Sequence, residues 1–141
     1  MKNITTIIIL LICFSNITYS QTSRVIDTLS YLRSIEVTKS KYIGKKFSNL
    51  FDDLKINIKY FNPNADEHFN KLKETSTDFS FFYPFTELEI HKAYPFLSIK
   101  WEAPLNTLTT LSLWKGTEGG WNDTIKNYYY NAIINDIKII K

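Results

Sequence analysis

Cysteine is nearly missing from this chain: one, Cys13, in 141 residues, and it lies inside the N-terminal apolar run. Glycine is scarce too, with three of the four gathered in WKGTEGGW, residues 114–121. No Gly-rich phosphate loop, GxSxG elbow, HExxH helix or paired-cysteine motif is present, which removes the common signatures of nucleotide, acyl-transfer and zinc chemistry. The two histidines are His68 and His91, in no motif that pairs them. The lysines are spread along the chain, so no basic stripe marks a nucleic-acid surface. The longest purely apolar run, residues 7–14, is far shorter than the roughly 20 residues that span a bilayer.

That short run sits where it carries information. MKNITTIIILLICFSNITYSQ has a charged start, an apolar middle and a small residue, Ser20, before Gln21. This is the layout of a secretory signal peptide, with cleavage expected after Ser20. The alternative is lipidation at Cys13. It is disfavoured because Ile12, not a small residue, precedes that cysteine. The mature chain is then expected to lack cysteine, and with it thiol nucleophiles, thiolate ligands and disulfides. Its localisation is expected to be periplasmic or secreted. Of the charged residues only Lys2 is removed, so the net charge falls from +3 to +2.

Residues 21–141 suffice for a single domain. Its core must rest on aromatic rings, which make up 16% of the chain. SRVIDTLSYLRSIE, 23–36, has helical spacing with Ser23 as a possible N-cap. YIGKKFSNLFDDL, 42–54, reads as a Gly44 turn feeding a short helix with Phe47, Leu50, Phe51 and Leu54 on one face. Alternation predicts strands over 56–61 and 78–85, the first ended by a turn at Asn62-Pro63-Asn64. Further short strands are expected over 87–94, 96–103 and 108–114, with breaks at Pro95 and Pro104. The tail is expected to open as a helix capped at Asn122 or Asp123 and to end as a strand. The fold expected is α+β: a mainly antiparallel sheet of five or six strands, one or two N-terminal helices, and a C-terminal helix–strand unit packed on it.

The run Tyr42-Ile43-Gly44-Lys45-Lys46-Phe47, followed by Leu50 and Leu54, resembles the Gly-led helix opening of small uncharacterised α+β proteins exported by Bacteroidota-type Gram-negative bacteria. The signal peptide ending before Gln21 is similar to theirs as well. The same run resembles, more faintly, small periplasmic proteins of the BamE and β-lactamase-inhibitor type, although the repeated motif of that group is absent. Together these matches cover about a tenth of the chain. They imply a small exported helix-on-sheet domain and carry no catalytic residue across. Asp27-Thr28-Leu29 and Asp123-Thr124-Ile125 resemble the Asp-Thr-apolar sites of O-glycosylation in such proteins.

Three places deserve weighing as sites. On a strand, Glu87, Glu89 and His91 share one face, but alternate residues stand too far apart to close on one ion unless the strand bends. A solvated polar face is the simpler reading. Asp66, Glu67 and His68 are consecutive and do not converge. In WKGTEGGW, Trp114, Gly116, Gly119, Gly120 and Trp121 form either a glycan- or protein-binding rim or a connector between core aromatics, with Trp101 and Tyr128, Tyr129 and Tyr130 nearby in sequence. The function expected is an exported non-enzymatic module that binds an envelope protein or glycan, with no metal or cofactor. The alternatives are a small envelope hydrolase using His91 with Glu87 or Glu89, and a structural envelope component with an open strand edge near 78–83.

Overall fold

A computed structural model describes residues 27–65, 71–83 and 94–141. Helix α1, Thr28–Val37, leads through a short 3₁₀ turn, Lys39–Lys41, to α2, Phe47–Asp53. Strands β1, Tyr60–Ala65, β2, Lys73–Ser80, and β3, Phe96–Asn106, follow. Helices α3, Thr107–Thr117, and α4, Asp123–Tyr129, precede the last strand, β4, Ile134–Ile140. The four strands pair in the order β1-β2-β3-β4, each antiparallel to its neighbour. The chain is therefore α+β with an antiparallel sheet, two helices ahead of it and a helix–strand finish. Among the described residues the sheet has four strands, not five or six. Residues 87–93 of the strand expected over 87–94 lie outside the described residues, and Tyr94 is not in a strand.

Side-chain alternation divides the sheet into two unlike faces. Phe79, Leu97, Ile99, Trp101 and Ile137 point inward and are at most 2% exposed. Leu32 and Ile35 of α1, Phe47 and Leu50 of α2, and Ile125 and Tyr129 of α4 meet them. Rings dominate the contact. Phe47 stacks on Phe79 at 5.1 Å between centroids, and Trp101 stacks on Tyr129 at 5.5 Å. Trp121 and Tyr129 both meet Phe79 edge-on, at 5.5 and 5.6 Å.

Several element boundaries depart from the alternation pattern for identifiable reasons. Asp27, not Ser23, caps α1: its carboxylate accepts from the amides of Leu29 and Ser30 at 3.0 and 3.2 Å. Ser23 lies outside the described residues. Asn62-Pro63-Asn64 is not a turn but the middle of β1. An edge strand tolerates proline because it needs ladder bonds on one side only. β2 occupies the polar stretch KETSTDFS rather than 78–85, since Glu74 and Thr77 are its inward residues beside Phe79. Pro104 does not end β3. It falls where the β2–β3 register slips, between the pairs Ser76–Lys100 and Glu74–Leu105.

The largest correction concerns 108–114, which is helical. Asn106 caps α3 by accepting from the amides of Leu108 and Thr109 at 3.0 and 3.2 Å. Its inward stripe is Thr107, Thr110, Leu113, Trp114 and Thr117, with Thr107 and Thr110 fully covered. A helix face made largely of threonine leaves little apolar periodicity to read. Leu108 and Leu111 point outward instead, 63% and 39% exposed.

Both sheet edges are partly covered. Along β1, the Phe61 amide donates to the Gly119 carbonyl at 2.9 Å and the Trp121 amide donates to the Lys59 carbonyl at 3.0 Å. Along β4, the Ile134 amide donates to the Lys45 carbonyl at 2.9 Å, and the Ile139 amide donates to Glu36 Oε1 at 3.1 Å. The edge expected near 78–83 is not one, because β2 is an interior strand. No helix among the described residues is long and apolar enough to cross a membrane.

One carboxyl lies inside this core. Glu74 is 0% exposed, and its Oε1 accepts from the hydroxyls of Thr77 and of Tyr129, the latter at 3.0 Å. Trp101 Nε1 donates to Thr77 Oγ1 at 2.9 Å, completing a chain of donors on one side of the group. Glu74 Oε2 and Thr107 Oγ1 are buried without a hydrogen-bond partner among the described residues. Glu74 makes no ion pair there either. Burial pushes its pKa up from 4.5, against smaller downward pulls from Thr77, Thr110, Tyr129 and Trp101.

A carboxyl whose pKa is higher in the folded chain holds its proton more tightly there than in the unfolded chain. Its stabilising contribution is complete below the ordinary value of 4.5 and is lost as pH rises through the raised value. Urea unfolding followed between about pH 4 and pH 8 should therefore show wild type losing stability relative to Glu74→Gln as pH rises. Parallel curves for the two proteins would mean that Glu74 has no raised pKa.

Candidate functional site

The segment from Trp114 to Trp121 begins as the last turn of α3. Trp114, Lys115, Gly116 and Thr117 are helical. Glu118 then adopts φ 51° and Gly119 φ 78°, a left-handed pair that ends the helix. The Gly119 and Gly120 amides donate to the carbonyls of Trp114 and Thr117, each at 2.9 Å. From there Gly120 bridges to Tyr60 of β1 in antiparallel fashion.

Each aromatic end is anchored. Trp114 Nε1 donates to the Tyr60 hydroxyl at 3.2 Å. Trp121 is half-buried among Phe47, Phe51, Phe61, Phe79 and Tyr129. Gly119 lies where a Cβ would stand 2.2 Å from the Tyr60 ring and 2.7 Å from Trp114 Nε1. Glycine is required there for space as well as for φ. At Gly116 a Cβ would meet nothing within 4 Å. The five residues thus divide: Gly119, Gly120, Trp121 and, through its contact with Tyr60, Trp114 pack towards β1 and the core, while Gly116 lies on the outer side of the helix end.

The remaining sequence candidates are distributed as follows. Glu87, Glu89 and His91, and likewise Asp66, Glu67 and His68, lie outside the described residues. Trp101 and Tyr129 belong to the core. Tyr128 and Tyr130 are half-buried on either side, their hydroxyls near the Asn106 carbonyl and Asp52 at 3.5 and 3.4 Å. Asp27 and Asp123 both stand at helix starts, with Thr28 half-buried and Thr124 exposed.

No family model, curated protein or solved structure matches the chain. The site must be argued from its own geometry.

The face of the sheet turned away from the core is polar. Asn64, Ser76, Lys100 and Asp136 align in one row across the four strands, and Asn62, Asp78, Ser98 and Lys138 in the next. All eight are half-buried or exposed. A groove of ≈ 320 Å³ runs over this face, lined by Thr75, Ser76, Ser98, Lys100, Asp136 and Lys138. Lys39, from the 3₁₀ turn, reaches Asp136 Oδ1 at 2.6 Å. That bond, above all, holds the Asp136 carboxyl below the usual carboxylate range. Lys100 and Lys138 form no ion pair among the described residues.

Sequence reasoning did not assemble this face. The signal is present strand by strand, as Ser98 and Lys100 in FLSIKW and Asp136 and Lys138 in INDIKII. Alternation identifies each as solvent-facing, but only the inter-strand register brings them together.

The contrast between the two glycines is measurable. Gly119→Ala should lower unfolding free energy by about 2 kcal/mol or more, from the strained φ together with the overlap. Gly116→Ala should raise it by about 0.5–1 kcal/mol, as expected inside a helix. Urea denaturation of both variants checks this. Equal, small effects would contradict the packing of Gly119 against Tyr60.

Proposed function

We propose that the chain is an exported, non-catalytic binding module whose ligand, a glycan, lies across the uncovered polar face of the sheet. The observation that carries the reading is the groove over β2, β3 and β4, all six of whose lining residues are polar. Hydroxyl, ammonium and carboxylate groups at fixed strand spacing match a ligand rich in hydroxyls, and strands hold such groups more firmly than loops do. The partly covered edges add support from another side. Gly119 to Trp121 beside the start of β1, and Lys45 and Glu36 at the two ends of β4, already pair part of the edge backbone, which leaves the side chains of the face as the larger recognition surface. The export part of the reading rests on the first twenty residues, from the charged Lys2 through the apolar 7–14 to Ser20.

Within this reading the Trp114–Trp121 segment fixes β1 and the sheet's shape. The rim at Trp114 and Gly116 is the competing contact surface on the same domain, and it fits an envelope protein better than a glycan.

A glycan panel screened by amide chemical-shift perturbation with residues 21–141 tests the assignment. Ser98→Trp fills the groove without touching the core and should weaken binding at least tenfold. Trp114→Phe, checked for folding, should leave it within about twofold. A panel without binders, or binding insensitive to Ser98→Trp, would defeat the proposal. Loss confined to Trp114→Phe would move the site to the helix end.

A further inference from the structure

We infer that the glycan taken by this face is an acidic one, and that its carboxylate sits between Lys100 and Lys138. The inference rests on the sheet-face reading above and adds the charge of the ligand. Lys100 is directly opposite Asp136 on β4, and Lys138 is two residues further along that strand. The two lysines are therefore diagonal neighbours on one face, at a spacing of about 7–8 Å that their flexible stems readily close.

The carboxylate between them in the register is already used. Asp136 is bonded to Lys39 at 2.6 Å, from outside the groove. Lys39 thereby engages the one acidic lining residue, which also feels the charge of Lys138, and neither Lys100 nor Lys138 forms an ion pair among the described residues. Asp78, another carboxylate on this face, stands between Asn62 and Ser98 in the register and does not line the groove, its Oδ1 being buried without a hydrogen-bond partner among the described residues. Two lysines against one carboxylate that is already bonded to Lys39 leave the lining with a net positive charge.

Neutral hydrogen-bonding groups flank both charges. Ser76 is the β2 partner of Lys100, and Ser98 is the β3 partner of Lys138. Asn62 and Asn64 extend the two rows onto β1. An isolated anion would use the lysines and leave the serines and asparagines idle. A sugar carrying a carboxylate uses both sets, with ammonium groups on the acid and hydroxyl and amide groups on the ring hydroxyls. Lysine suits this role as a mobile point charge in a solvated groove.

Titration calorimetry with an oligogalacturonate and its fully methyl-esterified counterpart of equal length separates charge from sugar shape. Inorganic phosphate serves as the sugar-free anion. Wild type should bind the free acid at least tenfold more tightly than the ester, and the margin should shrink as salt rises from about 0.02 to 0.5 M. The double variant Lys100→Gln/Lys138→Gln, both sites being exposed, should fold normally and bind acid and ester equally. Equal binding of acid and ester by wild type would overturn the acidic-ligand inference while leaving the glycan reading in place. Binding of neither, with a silent neutral panel, would remove both. Phosphate competing as strongly as the oligosaccharide would overturn the sugar component, and acid binding unchanged in the double variant would overturn the placement.

Discussion

Phe79 is the contact through which the helices are held to the sheet. From the centre of β2 its ring meets Phe47 of α2, Trp101 of β3, Trp121 of the connector and Tyr129 of α4. Segments spread from Phe47 to Tyr129 converge on one side chain that is fully buried. With no cysteine in the described residues to staple them, aromatic burial is the main cohesive term. The mixture of one stacked and three edge-on contacts satisfies ring quadrupoles in a space too small for parallel stacking of all five rings. Among the described residues no helix covers the polar face, and this cluster secures the sheet from the other side.

Directly beside this cluster the core accepts a polar cost. Glu74 and its partners Thr77, Trp101 and Tyr129 form a connected set, yet Glu74 Oε2 remains unpartnered among the described residues. A buried, half-satisfied carboxyl is destabilising by itself and rewards a geometry that keeps its remaining bonds intact. The network links β2, β3 and α4 and so fixes their relative position directionally, which apolar contact does not do. It also explains why β2 is the least apolar strand of the sheet on its inward side.

Strong periodicity made part of this fold legible and weak periodicity hid the rest. Phe47 and Leu50 marked α2, Leu97, Ile99 and Trp101 marked β3, and Asn122 marked the start of α4. The failures share a cause: inward positions occupied by polar residues. Glu74 and Thr77 concealed β2, and Thr107 and Thr110 made α3 read as a strand despite the cap at Asn106. Pro63 and Pro104 were misread because an edge strand and a register slip both accommodate proline. At the site, the Trp/Gly segment drew attention through composition. The polar face has no compositional mark, since its residues come from four strands whose register no local pattern encodes.

The partial cover of the sheet edges has a consequence for the order of folding. Glu36 meets the Ile139 amide across 103 positions, and Lys59 meets Trp121 across most of the molecule's second half. Neither cover can form until residues 121 and 139 have been made. A nascent chain therefore passes through a stage in which β1, β2 and β3 have partners to find and their flanks are still open. Non-local pairing of this kind is slow, and open flanks invite association with other chains. The last seven-residue strand is thus the closing piece of the assembly. The time between release of residue 133 and the seating of β4 is the interval in which a companion chain or chaperone would matter most.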